Sequence, residues 1–154
     1  MSEHSRQLRD GLVRPRQASY GDPLARRTAV GFVGGVTGVA AAMAMYAFRL
    51  QELAPAWASE TLLGVTVLVG GVLVKLLVGQ MRASVSALLV SLAVGSAAML
   101  AFEVAPFYLL DIGTAGGLAL FVPLRDVITF LLFFQIPLQF LGFLLAVVVE
   151  AFRA

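Results

Sequence analysis

The chain has no cysteine, one histidine and one lysine, and only 13% of its 154 residues are charged. Without cysteine there are no disulfides, no iron–sulfur or thiolate–zinc centres and no thiol redox chemistry. The single histidine, His4, sits in a polar N-terminal tail, so bis-histidine haem ligation within a membrane span is excluded. Hydrolytic catalysis lacks a base, because the apolar runs hold no histidine and only Lys75, with Glu103 at a rim. No Gly-rich turn follows a strand, so a phosphate loop is not expected. No enzyme activity, cofactor, metal or nucleic-acid partner is expected.

What is present is hydrocarbon. Apolar residues make up 60% of the chain and the mean hydropathy is +0.92, against roughly 45–50% apolar in soluble domains. A single soluble core of this size cannot hide so much apolar surface. Apolar runs cover residues 28–48, 61–79, 84–103 and 127–149, each near the ~20 residues that cross a bilayer as a helix. The links at 49–60 and 80–83 are short, so neighbouring spans are expected to pack as hairpins. The expected fold is an all-α integral membrane protein. It is a four-transmembrane-helix antiparallel bundle with a non-spanning outer cap, re-entrant or interfacial, between the third and fourth helices. The ten arginines beside one lysine, with the Ala, Val, Gly and Leu bias, suggest a GC-rich prokaryotic genome.

Residues 1–27 form a polar arm with six arginines against Glu3, Asp10 and Asp22. A basic segment abutting a span is retained in the cytoplasm. We therefore expect a multi-pass cell-membrane protein with both termini cytoplasmic, and an arm that attracts anionic lipid headgroups. Arg26-Arg27 resembles an export signal, but three further spans follow. Residues 28–154 are read as one transmembrane domain.

The stretch 104–126 decides the number of spans. Residues 104–122 hold nine Leu, Ile, Phe or Val, worth roughly −3 to −5 kcal/mol on the insertion scale, which Asp111 offsets by about 3. Pro106, Thr114 and three glycines add further cost. Residues 127–149 hold seventeen such side chains and no ionisable group. We read 104–126 as the cap, with Pro106 ending or bending the third helix, Gly113–Gly117 turning, and Leu118–Val122 dipping into the apolar layer.

Small residues mark the expected helix contacts. Two frames overlap in the first run, Gly31-x-x-x-Gly35 and Gly34-x-x-x-Gly38; Gly64 and Gly71 share a face of the second, and Ser91 and Gly95 one of the third. Such spacing lets backbones approach closely in a membrane. At 100° per residue, Gln135, Gln139, Gly142, Ala146 and Glu150 fall on one stripe opposite Pro137, which is expected to face the bundle. Lys75 lies about one turn inside the membrane, and the four-span reading predicts a structural ion pair between Lys75 and Glu150. Asp111, Gln135 and Gln139 are candidates for a substrate or ion path, since intramembrane polar groups often line one.

"AVGSAAMLAFEVAPFYLL" followed by "FLLFFQIPLQFLGFLLAV" is similar to the third and fourth helices of TatC, the twin-arginine translocase core. That family has a small-residue helix ending at a proline, an outer cap, and a phenylalanine–glutamate–x–proline signature. Here the signature stands as Phe134-Gln135-Ile136-Pro137, with glutamine in the acidic position. The similarity spans residues 92–146, and the family's N-terminal motif, long first outer loop and last two helices are absent. It implies a translocase-related protein. The residues themselves favour an accessory or assembly subunit that binds other membrane subunits, or itself. The alternative is a small oligomeric transporter or channel.

Overall fold

The computed structural model describes residues 23–50, 59–109 and 118–153. The helices are α1 (Pro23–Arg49), α2 (Glu60–Val78), α3 (Met81–Leu109), α4 (Leu118–Phe130) and α5 (Ile136–Arg153). A π-helical turn, Leu131–Gln135, joins α4 to α5 without a break, so the two form one long helix. Among the described residues there is no strand. Four helices are long and apolar enough to cross a membrane: Pro23–Arg49, Thr61–Val78, Met81–Pro106 and Phe121–Phe152.

Local chemistry sets several ends. Pro23 opens α1, where its missing N–H costs no helical bond and its fixed φ suits the first turn. Ser59 caps α2, its hydroxyl accepting from the Leu62 N–H at 3.3 Å. At the other end Gly79 takes φ +73° and ψ −55°, outside the range that residues with a Cβ adopt readily. Its N–H donates to the Lys75 carbonyl at 3.0 Å, and the Gln80 N–H donates to the Val78 carbonyl at 2.8 Å. This γ-turn reverses the chain within two residues, and α3 begins at once.

Pro106, expected to end or bend the third helix, lies inside it, and Pro123 also lies within a helix. α3 runs through Pro106 to Leu109, and α4 begins at Leu118 with Pro123 within it. Much of the stretch 104–126 is thus helical, which corrects the expected extent of the cap and of Pro106 as a stop. A proline removes one helical hydrogen bond, and an isolated loss of this kind is tolerated in membrane helices. Leu118–Val122 form the opening turns of α4. Gly113–Gly117 lie outside the described residues.

The interior is layered along the helices. One apolar layer comprises Ala41, Ala42, Ala44, Leu63, Val67, Met99, Val127 and Phe130. A second comprises Val74, Val78, Ala83, Ala87 and Phe143. Between them lie the buried polar side chains Thr37, Ser91, Gln135 and Gln139. The outside carries large exposed apolar residues instead, among them Phe32, Met43, Leu76, Leu89, Phe133 and Leu144. Small or polar inside with large apolar outside is the pattern of helices whose solvent is lipid.

Two side-by-side pairs, each running in one direction, build the bundle. Along α1 and α3, Gly34 meets Ala87 and Val90, Gly38 meets Ser91 and Gly95, and Tyr46 meets Phe102. α2 and α5 cross where Gly71 abuts the Gln139 backbone and Gly142 the Leu68 backbone. Both then run toward Lys75 and Glu150, which pair. α4 leans on α3, whereas α5 lies along α2, so the long helix changes neighbour at its π-turn.

Candidate functional site

The polar layer at mid-depth is built by three of the four spans. Thr37 of α1 donates to the Ser91 hydroxyl at 3.1 Å and also reaches its own Val33 carbonyl at 2.8 Å. Ser91 of α3 donates to Gln139 Oε1 at 3.1 Å, and Gln139 Nε2 lies 2.9 Å from Ser91 Oγ. Gln135 Nε2 donates to the Ser91 carbonyl at 2.9 Å. The reverse amide orientation would set two oxygens against each other, which fixes the Gln135 assignment. Gln135 Oε1 is then buried with no hydrogen-bond partner. Interhelical bonds of this kind contribute about 0.6 kcal/mol each in membranes, with a maximum near 1.7.

The π-turn delivers both glutamines to the interior. Pro137 has no N–H to complete the turn before it, and the Ile136 N–H reaches back five residues to the Leu131 carbonyl. The Phe134–Pro137 segment, singled out for its translocase-like signature, is thus the site of this irregularity. From Gln135 onward the stripe Gln135, Gln139, Gly142 and Ala146 is buried, and Glu150 ends it at the surface.

Glycines make room for these contacts. A Cβ on Gly38 would collide with the Ser91 carbonyl and stand 2.9 Å from the Gly95 nitrogen; one on Gly34 would stand 2.9 Å from Val90. Gly71 abuts the Gln139 backbone, and Gly95 gives way to the Gln135 amide. Gly70, not singled out in the sequence, faces Thr37 and Gln139. Three glycines expected at helix contacts stand elsewhere. Gly31, Gly35 and Gly64 have no atom outside their own helix within 4 Å of a Cβ position. Each is rotated away from the neighbouring helix, so within this bundle none serves as a packing residue.

Charged residues close the two ends. At one, Arg49 of α1 is paired with Glu103 of α3 and donates to Asp126 of α4 at 2.8 Å. Sequence reasoning missed this three-helix clamp, because Glu103 borders the stretch read as a cap and Asp126 lies within it. At the other, Lys75 donates to the Glu150 carboxylate and to the Gly79 carbonyl at 3.0 Å. The Lys75 side chain is only 5% exposed while that of Glu150 is 47% exposed, so the pair joins a buried cation to a half-open anion. Asp111 lies outside the described residues, and its place relative to Gln135 and Gln139 is not part of this geometry. Among the described residues no three His, Asp or Glu side chains gather as a metal site would require. No family model, no curated protein and no solved structure matches the chain.

Proposed function

We propose that this chain is an accessory or assembly subunit of a larger membrane complex, a binding rather than a catalytic protein. In this reading it is an antiparallel bundle in the cell membrane with both termini cytoplasmic, and a non-spanning outer cap stands between the third and fourth spans. The cytoplasmic end is the one bearing Arg26, Arg27, Lys75 and Arg82, in keeping with the retention of basic residues inside. The arm of residues 1–27 meets anionic headgroups there.

One observation carries the subunit reading. Gly34 and Gly38 are consumed by α3, but Gly31 and Gly35 repeat their spacing on an adjacent face with open space beside them. Phe32, 71% exposed, stands next to them. A small-x-x-x-small frame on a lipid-facing surface admits the backbone of one more helix. The interior supports the same reading, since its polar groups are bonded mainly to one another.

The test is purification from the native membrane in mild detergent. A discrete complex with another membrane protein is expected, lost on Gly31→Leu/Gly35→Leu and retained on Gly64→Leu, whose glycine is equally open. A homo-oligomer that conducts ions in liposomes would instead favour the second reading, a small transporter or channel with Asp111, Gln135 and Gln139 on its path. The unpartnered Gln135 Oε1 is the observation in its favour.

A further inference from the structure

Inward from the Arg49 end, three spans carry the same succession of a charged group, an apolar residue and a polar one. It runs Arg49, Ala41 and Thr37 on α1, then Glu103, Met99 and Ser91 on α3, then Asp126, Phe130 and Gln135 along the fourth span. The polar layer is thus closed from this end by an apolar plug beneath a charged clamp. Within the layer Gln135 Oε1 is buried with no hydrogen-bond partner, a costly state for a carbonyl oxygen at membrane depth.

α4 is the part of this wall best able to move. Gln135 is the last residue of the π-turn, and Pro137, which has no N–H, follows it. Helices bend most readily at such places. Below the turn α5 is held, because Gly71 and Gly142 bring it backbone to backbone with α2 and Gln139 is bonded to Ser91. Above the turn α4 leans on α3, and its buried residues Pro123, Val127 and Phe130 are all apolar. Turning these toward lipid exchanges one apolar surrounding for another. Among the described residues, the one ion pair tying α4 to the bundle is that of Asp126 with Arg49. Arg49 also holds Glu103, so release of Asp126 leaves no cation unpaired. An orphaned charge is what makes most buried pairs expensive to break.

We propose that α4 is a hinged gate over the polar layer. Asp126 latches it to Arg49, and its swing about the π-turn admits water to Gln135 and Ser91 from the Arg49 end. The Lys75–Glu150 end stays closed meanwhile, because α5 does not move with α4. The gate does not depend on which protein docks beside Gly31 and Gly35.

The experiment reads water access in the full-length protein, purified in mild detergent. Ser91→Cys sets a thiol in the layer in place of a hydroxyl, and Ala146→Cys sets one in the buried stripe nearer Lys75 and Glu150; the chain has no other cysteine. Each is treated with a positively charged methanethiosulfonate, and intact-mass spectrometry gives the labelling rate. Adding Asp126→Asn should speed labelling at position 91 by about threefold to fivefold, the rise in open population that loss of one partly exposed ion pair allows. Position 146 should keep its rate. Arg49→Gln removes the same bond from the other side and should act alike, whereas Arg125→Gln, an exposed charge beside the latch, should change neither rate. Gel filtration and helical circular dichroism show whether each variant is folded. No acceleration at position 91 in Asp126→Asn and Arg49→Gln would overturn the latch. Equal acceleration at position 146 would mean a bundle loosened throughout and overturn the hinge. Equal acceleration by Arg125→Gln would reduce the effect to local charge and overturn the gate as well.

Discussion

Replacing Gly38 by alanine adds one methyl group where α1 and α3 touch through their backbones. The new Cβ meets the Ser91 carbonyl and the Gly95 nitrogen, both main-chain atoms, so no side chain can rotate aside. The helices must separate instead, and overpacking of this kind costs about 1–3 kcal/mol. Separation also strains the Thr37–Ser91 hydrogen bond one residue away, 3.1 Å long and worth about 0.6–1.7 kcal/mol. Against these stands the helix preference for alanine over glycine, about 1 kcal/mol. Gly35→Ala receives the same preference with nothing within 4 Å to oppose it. The difference between the two variants is therefore free of the propensity contribution, and comes to roughly 2–4 kcal/mol. Reversible unfolding in mixed detergent and dodecyl sulfate micelles, followed by far-ultraviolet circular dichroism, measures it. Gly38→Ala should unfold at lower dodecyl sulfate than wild type, and Gly35→Ala at equal or higher. If the two variants shift together, the assignment of the inner frame is wrong.

Lys75→Glu sets two carboxylates together and should destabilise by about 1–3 kcal/mol, between an exposed and a buried pair; Glu150→Lys added to it should restore most of the loss, and additive losses would disprove the pairing energy. Gly79→Ala meets no neighbouring atom but must hold φ +73°, so the same unfolding assay should read about 1–3 kcal/mol of backbone strain, and a neutral result would mean the γ-turn relaxes freely. Gln139→Met removes bonds to Ser91 and Thr37 and should lose about 0.5–1.5 kcal/mol, while Gln135→Met also removes an unpartnered oxygen and should lose less; the reverse order would contradict the network. Single cysteines, introduced without background in this cysteine-free chain, should react with an impermeant maleimide from outside at Arg49 and Arg125 and be protected at Arg82; protection at Arg125 would reverse the proposed topology.

Periodicity made the inward face of the fourth span legible. Gln135, Gln139, Gly142 and Ala146 share one stripe because the helix is regular from Gln135 onward, beyond its π-turn. The turn itself was not legible, since Pro137 signals a lost bond without saying whether the helix bends, ends or widens. The two glycine frames of α1 were legible as frames, but not which one α3 would use. Gly31 and Gly34 differ by only 60° around the helix, and that choice depends on where the third span packs. Lys75 and Glu150 could be brought to one end by counting spans. The clamp of Arg49, Glu103 and Asp126 could not, because the stretch read as a cap took Asp126 and the end of the third helix out of the bundle. The Thr37–Ser91–Gln139 layer escaped for a related reason. Single hydroxyls in small-residue helices look like packing until a partner at the same depth is known.

The tightest backbone contacts join the first span to the third and the second to the fourth, never a span to its successor in the chain. This ordering has a consequence for biosynthesis. When α1 leaves the ribosome its glycine face has no complement, and Ser91 is 53 residues away, about 3–11 s of translation at ordinary rates. The second pair waits longer still, since Gly71 needs Gln139. During that interval α1 and α2 can pack on each other, but their glycine faces lack their complements and can engage whatever helix drifts past. A nascent chain arrested after α2 carries two incomplete faces and neither closed pair, which makes it the form most exposed to quality-control proteases and to premature capture by a neighbour.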